Sequence, residues 1–416
     1  MNIVGILGVV AFVVALLLSV MLHEAGHFLT ARHYGMKATQ FFVGFGPTLF
    51  SRTKGETEYG VKAIPAGGFV KIIGMTPAEE VEPGDEDRAF YRHPTRPKTV
   101  VLAAGSTVHF IICVVLVFVT IVAFGLPDDT APVLTKPQAC LATTVTYNAR
   151  VPSSVPGPDG SCAAGTVPGI AAAAGIQAGD RVLEAGGKPV SRYTDFQKIV
   201  RGSAGKDLVV VVRRHGARTT LHLTPIVATR PSLTDPKKSE QVGAIGVAPD
   251  PTTLRHVGFV GSFTETGSIL KLLVTGTWDS LTSKIDSIST VYSKNRDPTG
   301  FVGVYGVGRV SGEVFQAPVP FTTRLVEFLL IIASLNLFIG VFNLLPLLPL
   351  DGGHIAVVWF EAARDKIKRL RGYVGEIQRV DYNKLVPVTF AVVLLFAGFS
   401  IWLLGADIVN PIRINQ

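Results

Sequence analysis

Four stretches of this chain are long, apolar and free of charged side chains, and no other feature limits its fold as severely. They run from Ile3 to Leu22, Thr99 to Leu126, Leu329 to Leu350 and Leu385 to Gly405, with His109 as the one imidazole among them. The hydrocarbon core of a bilayer is about 30 Å thick, so a helix needs roughly 20 mainly apolar residues to cross it. Soluble cores rarely require four such runs, and the chain is expected to be a polytopic α-helical membrane protein with four transmembrane helices. No basic residue precedes the first stretch and no small-residue cleavage site follows it, so it is read as a retained span, not a secretory signal.

Orientation follows from Lys and Arg, which are enriched in cytoplasmic loops. The loop after the first span carries Arg32, Lys37, Arg52, Lys54, Lys62, Lys71, Arg88, Arg92, Arg96 and Lys98, and the loop after the third carries Arg364, Lys366, Lys368, Arg369, Arg371, Arg379 and Lys384. Both are placed in the cytoplasm, which puts the termini and the segment from about Pro127 to Arg324 outside the inner (plasma) membrane. These loops account for most of the net charge of +8. Without interleaved aromatic residues they argue for a lipid bilayer partner and no nucleic acid.

The chemistry is concentrated at the end of the first span. His23-Glu24-Ala25-Gly26-His27 fits the pattern H-E-x-x-H, in which two imidazoles one helical turn apart share a face and bind one Zn2+ while the glutamate serves as general base. Ionisable groups at the end of a span are costly and default to a functional reading; snorkelling to the interface suits Lys or Arg better. A catalytic zinc usually takes three protein ligands and leaves a fourth position for water. The best third ligand is Asp351, in Asn343-Leu344-Leu345-Pro346-Leu347-Leu348-Pro349-Leu350-Asp351-Gly352-Gly353-His354. Its prolines remove backbone donors and its glycines permit close approach, so the chain is broken at membrane depth, where irregular backbone is tolerated only inside protein or along a wet cavity. The orientation puts His23, His27 and Asp351 at one level, an agreement built into neither motif.

Between these motifs the chain reads as several regions. Residues 1–36 hold the first span, 37–98 a cytoplasmic region of short strands, and 99–126 the second span. Residues 127–235 form an outward α/β domain with a linker through Pro152, Pro156, Gly157, Pro158, Asp159 and Gly160. A helix is expected near Thr194–Arg201 and strands at Leu208–Arg213 and Thr219–Leu223. Residues 236–324 carry amphipathic helices, marked by Ile269, Leu272, Leu273 and Trp278 within Phe263–Ser293. Residues 325–384 hold the third span and a cytoplasmic loop, and 385–416 the fourth span and tail. An acidic stretch from Glu79 to Asp87 reads as a solvated excursion. Cys113 reads as a packing residue; Cys140 and Cys162 share the outward segment, and whether they form a disulfide stays open.

On these motifs the chain resembles the site-2 protease family of intramembrane zinc metalloproteases, and within it the bacterial RseP-like enzymes with a single PDZ domain. The resemblance implies a zinc metalloendopeptidase that cuts peptide bonds in or near transmembrane segments, with His23, His27 and Asp351 as ligands and Glu24 as catalytic base. It implies that Asn343 holds the substrate backbone and that Gly67, Gly68 and Phe69, preceded by Val43-Gly44-Phe45-Gly46-Pro47, belong to a membrane-associated β-loop receiving an extended substrate. Val167–Val182 and Gly186-Gly187-Lys188-Pro189-Val190 are similar to a PDZ domain, which would bind a peptide by strand addition or act as a size filter on substrate ectodomains. Implied partners are single-span membrane proteins such as anti-sigma factors, cut in regulated intramembrane proteolysis. One departure stands out: family members usually read A-G-P-x-x-N-F where this chain has Ala104-Gly105-Ser106-Thr107-Val108-His109-Phe110. With three ligands already named, His109 is read as a packed, hydrogen-bonded histidine in preference to a fourth ligand. The rival class is a catalytically idle membrane receptor or scaffold that binds peptides; an intact Glu24 counts against it, since a structural site needs no base. A zinc-dependent transporter explains the broken third span less well.

Overall fold

The computed structural model describes residues 2–412 apart from 76–80, 129, 147–153, 158, 236–237, 251, 284, 294–295, 297–299, 376–379 and 382–383. Glu79, Pro152, Pro158 and Arg379, each used above, lie outside the described residues. In chain order the elements are α1 (Ile3–His33), β1 (Ala38–Lys54), β2 (Thr57–Ile72), α2 (Thr95–Phe124), β3 (Leu126–Pro127), β4 (Cys140–Ala142), β5 (Thr166–Pro168), α3 (Ile170–Ala173), β6 (Arg181–Ala185) and β7 (Lys188–Pro189). There follow α4 (Tyr193–Gly202), β8 (Leu208–Arg214), β9 (Ala217–Leu223), β10 (Ile226–Pro231), β11 (Ser239–Ala244), β12 (Leu254–Arg255), α5 (Phe259–Ser283), α6 (Val304–Gln316), α7 (Phe321–Asn343), α8 (Asp351–Leu370) and α9 (Val386–Val409). They fall into two compact units, Met1–Ala123 with Gly258–Gln416, and Phe124–Val257.

In the first unit α1, α2, α7 and α9 are the helices long and apolar enough to cross a membrane among the described residues. α1 starts where Asn2 caps it, its side chain accepting from the Gly5 N–H at 3.1 Å, and it ends on Arg32 and His33, cations that suit the negative end of a helix. α7 stops at Asn343, short of the expected Leu350, because Pro346 and Pro349 cannot continue the ladder of hydrogen bonds. The loop expected after it is also corrected: Asp351 opens α8, and Arg364, Lys366, Lys368 and Arg369 sit on a helix.

The strands between α1 and α2 fold on themselves. Gln40–Val43 has partners on both sides, Glu58–Val61 and Gly68–Lys71, with Ala38 opposite Ile72 and Val43 opposite Gly68. Gly67 makes the necessary bend at φ 141°, a left-handed value that a side chain would resist. Phe28, Ala31 and Met36, Ala38 and Ile72, Val101 and Leu102, and Val358 share one core that joins α1, the strands, α2 and α8. At the other end of α1, the short α6 seats on Gly8 and Phe12. A Cβ on Gly8 would stand 2.9 Å from the Ser311 carbonyl, so the two backbones touch as small residues allow in membranes. The 13 residues of α6 reach about 20 Å, too short to span. α6 is held in turn by Asp407 of α9, whose Oδ2 accepts from the Gly303 and Gly306 N–H groups at 2.8 and 3.1 Å while Oδ1 accepts from Arg296 at 2.7 Å.

The second unit has a conventional apolar core of Leu134, Val182, Phe196, Val210, Val212 and Leu223 beneath the sheet β7-β6-β8-β9. The helix and strands expected near Thr194, Leu208 and Thr219 are α4, β8 and β9. The unit extends past the expected boundary at residue 235, because β11 pairs with β10 from Ile226–Ala244 to Pro231–Ser239. Cys140 and Cys162 are bonded, with Cα atoms 5.6 Å apart. The buried carboxylate of Asp180 is fully engaged by Arg214, at 2.8 and 2.7 Å, and by the Gln177 N–H at 2.9 Å.

Candidate metal centre

Helical spacing puts His23 and His27 on one face of α1, with ring centroids 4.7 Å apart and planes at 80°. Their Nε2 atoms are 3.1 Å apart, and Asp351 Oδ2 lies 3.5 Å from each. The His27 Nδ1 stands 2.7 Å from the Val101 carbonyl of α2. A carbonyl oxygen only accepts, so Nδ1 carries the proton and Nε2 turns its lone pair to the cluster.

Asp351 arrives through a tight fold of the chain. Leu347 N–H donates to the Leu345 carbonyl at 2.7 Å, Leu350 N–H to Leu347 at 2.8 Å and Gly353 N–H to Leu350 at 3.0 Å. A Cβ on Gly353 would lie 2.5 Å from the Leu348 nitrogen, and one on Gly352 would strike the Leu344 carbonyl, so both glycines are required by close backbone approach.

Three lone-pair atoms therefore converge, and ligand atoms of His23, His27 and Asp351 all lie within 4.8 Å of one another. Asp351 Oδ2 is buried and has no hydrogen-bond donor among the described residues. A buried acceptor left unpaired costs about 1–3 kcal/mol, and a divalent cation removes that cost for all three atoms together. Two imidazoles, one carboxylate and the Val101 carbonyl that orients His27 fit a zinc-type site.

Glu24, the neighbour of His23, turns to the strands. Its Cγ is 3.3 Å from where a Cβ on Gly68 would be. Gly67 and Gly68 thus lie at the bend that meets Glu24. Phe69 does not join the cluster: it stacks on Phe42 and Phe45, at 5.5 and 6.2 Å. Asn343 is the last residue of α7 and begins the turn that leads to Asp351; it is not among the converging ligands.

Two participants escaped the sequence reading. Gly105 of α2 faces both imidazoles: a Cβ there would stand 2.5 Å from His27 Nε2 and 2.6 Å from His23 Nδ1. Asn336, buried in α7, holds His109 Nδ1 at 2.8 Å. An amide within an apolar span was the available signal for Asn336; for Gly105 it was the family pattern A-G-P-x-x-N-F, whose glycine falls on this position. His109 is hydrogen-bonded as expected, and its nitrogens stand outside the group of atoms that could hold a metal.

The model of Peptidase family M50 matches residues 11–378, a range that includes His23, His27 and Asp351. The zinc metalloprotease Rip1 of Mycobacterium tuberculosis is 37% identical over 98% of this chain and 99% of its own length. Its namesake in Mycolicibacterium smegmatis is 35% identical over 99% of both. A putative zinc metalloprotease of Fusobacterium nucleatum is 29% identical over 86% of this chain and 89% of its own length. With likeness running through the spans and the intervening unit alike, this chain belongs to peptidase family M50.

Proposed function

We propose that this protein is an intramembrane zinc metalloendopeptidase that cuts single-span membrane proteins in or beside the bilayer. The observation that carries the reading is the meeting of His23, His27 and Asp351 at the membrane-spanning helices, in a chain whose relatives are named zinc metalloproteases. His23, His27 and Asp351 are the ligands. Zinc, when bound there, supplies a positive charge and an open position that polarises a water. Glu24 takes the proton of the attacking water and returns it to the leaving amine.

Helical substrates have their carbonyls tied up in hydrogen bonds, so cleavage requires unwinding. Gly68–Lys71 pairs with Gln40–Val43 along one edge and has a second edge for pairing, and Glu24 lies beside Gly68. An unwound segment added to that edge passes beside the base, with Gly67 and Gly68 giving the room and Asn343 steadying its backbone. In the second unit a cavity of about 230 Å³ between α4 residues Tyr193, Phe196 and Val200 and the stretch Gly243–Ala248 supports the PDZ reading, with an extended outer segment of the substrate as occupant. The bonded Cys140 and Cys162 suit an oxidising exterior for this unit, and the Lys- and Arg-rich loops suit a cytoplasmic side for the metal centre.

The deciding experiment incubates purified protein with a labelled single-span substrate, with and without a zinc chelator, beside Glu24→Gln. We expect chelation to stop cleavage, and the variant to keep its zinc while losing about a thousandfold in rate. Undiminished turnover with the chelator, or in the variant, refutes the reading.

A further inference from the structure

One imidazole beside the metal centre has no part in the chemistry above. His109 of α2 is 1% exposed, and its ring centroid lies 5.0 Å from that of His23, tilted by 42°. Its Nδ1 is 2.8 Å from Asn336 Oδ1. The Asn336 Nδ2 donates to the Ile332 carbonyl at 2.8 Å and to Ser19 Oγ at 3.1 Å. Because a carbonyl only accepts, the Ile332 bond fixes which end of the amide is NH2. Oδ1 must then face His109, and His109 must carry its proton on Nδ1. All of these groups are buried, so each bond is made away from competing water.

The connectivity returns to where it began. Ser19 stands one helical turn before His23 on α1, Asn336 belongs to the helix that leads to Asp351, and His109 stands one turn after Gly105, the residue in contact with both imidazoles. The chain Ser19–Asn336–His109 therefore runs from a side chain on His23's own helix to a ring whose centroid is 5.0 Å from that of His23. It ties together the three helices whose mutual register sets the metal centre. Apolar surface cannot supply that register between helices in lipid, whereas buried polar bonds can.

We propose that His109 is a positioning residue of the metal centre: anchored by Asn336 and Ser19, it holds the His23 imidazole in its ligating orientation. The inference rests on the zinc reading. The test measures zinc affinity of the full chain in detergent micelles by competition with a chromophoric chelator, on samples whose folded fraction is known from near-UV circular dichroism. His109→Leu leaves Asn336 Oδ1 unpaired, and we expect roughly a ten-fold loss of zinc affinity per folded molecule. His109→Asn restores the bond and should recover most of it. Ser19→Ala, a milder change at the far end, should cost a few-fold and serves if His109→Leu does not fold. Equal affinity in wild type, Ser19→Ala and His109→Leu, or in wild type and Ser19→Ala where His109→Leu does not fold, overturns the proposal, even if thermal stability falls. A wild-type protein that binds no zinc refutes the zinc reading itself and this inference with it, whereas tight binding lost only in Asp351→Ala refutes this inference alone.

Discussion

The two units of this molecule are built inside out with respect to each other. In Phe124–Val257, Val182, Phe196, Val210 and Val212 are buried, and a buried charge such as Asp180 is pinned by a guanidinium and a backbone N–H. In the helical unit Leu7, Val14, Leu394 and Leu395 are exposed, whereas Ser19, His23, His27, Ser106, His109 and Asn336 are buried. Water drives the first arrangement, since each apolar side chain removed from it contributes about 1.5–3 kcal/mol. Lipid provides no such force between helices, so their register is set by close small-residue contacts and by polar bonds. The comparison teaches that the candidate metal centre occupies the place where the helical unit concentrates its specificity: His23, His27, Gly105 and the Asn336 bonds belong to one buried polar seam.

The sharpest way to break this comparison is Gly105→Ala. In a soluble helix the change is favourable by up to about 1 kcal/mol, but here the added carbon would meet both imidazoles. We expect loss of bound metal and at least about a hundredfold loss of cleavage, read by metal analysis and substrate turnover; wild-type zinc content would show that α2 yields easily. Next is a pair of truncations. Phe196→Ala, at a position 1% exposed, should destabilise the second unit by about 3–5 kcal/mol, whereas Leu395→Ala, at 67% exposed on α9, should change stability by less than about 0.5 kcal/mol. Denaturant titration of the full chain measures both, and equal effects would erase the contrast. The smallest effect concerns pH. Tyr193 donates to the Val247 carbonyl at 2.8 Å, and burial pushes its phenol up to about 12. Folding thus favours the neutral form: its contribution is complete below about pH 10 and is lost as pH rises toward 12, an effect of about 2 kcal/mol. Tyr193→Phe should flatten stability over that window, and an unchanged slope would place the alkaline loss elsewhere.

How much of this was legible beforehand followed the physics of each region. The four spans were visible because lipid demands continuous apolar length, and the break expected at Pro346 and Pro349 follows directly on the end of α7 at Asn343. The H-E-x-x-H pattern and Asp351 stood out because ionisable groups at membrane depth are conspicuous. α6 was not legible: Gly306, Gly308 and Gly312 lower helix propensity in water, and only packing turns such glycines into an advantage, Gly308 against Phe12 of α1 and Gly306 against Asp407 of α9. α8 read as a loop because its glycines and cations follow two prolines, although those cations lie on a helix once the turn has closed. The partnership of Asn336 with His109 and Ser19 was hidden for another reason, since pairing across helices depends on rotation about axes that no local pattern encodes. The extent of the second unit was missed because β10 and β11 pair across a polar turn that resembles a linker.

The carboxylate of Asp407 bears on how such an enzyme is made. Ribosomes deliver a chain from its N-terminus, so α1, with both histidines, enters the bilayer long before α9 exists. Until α9 arrives, Arg296 and the N–H groups of Gly303 and Gly306 lack the acceptor they hold in the finished protein, and α6 has no lock on its seat against α1. The seat of α6 on α1 is thereby completed only when α9 arrives.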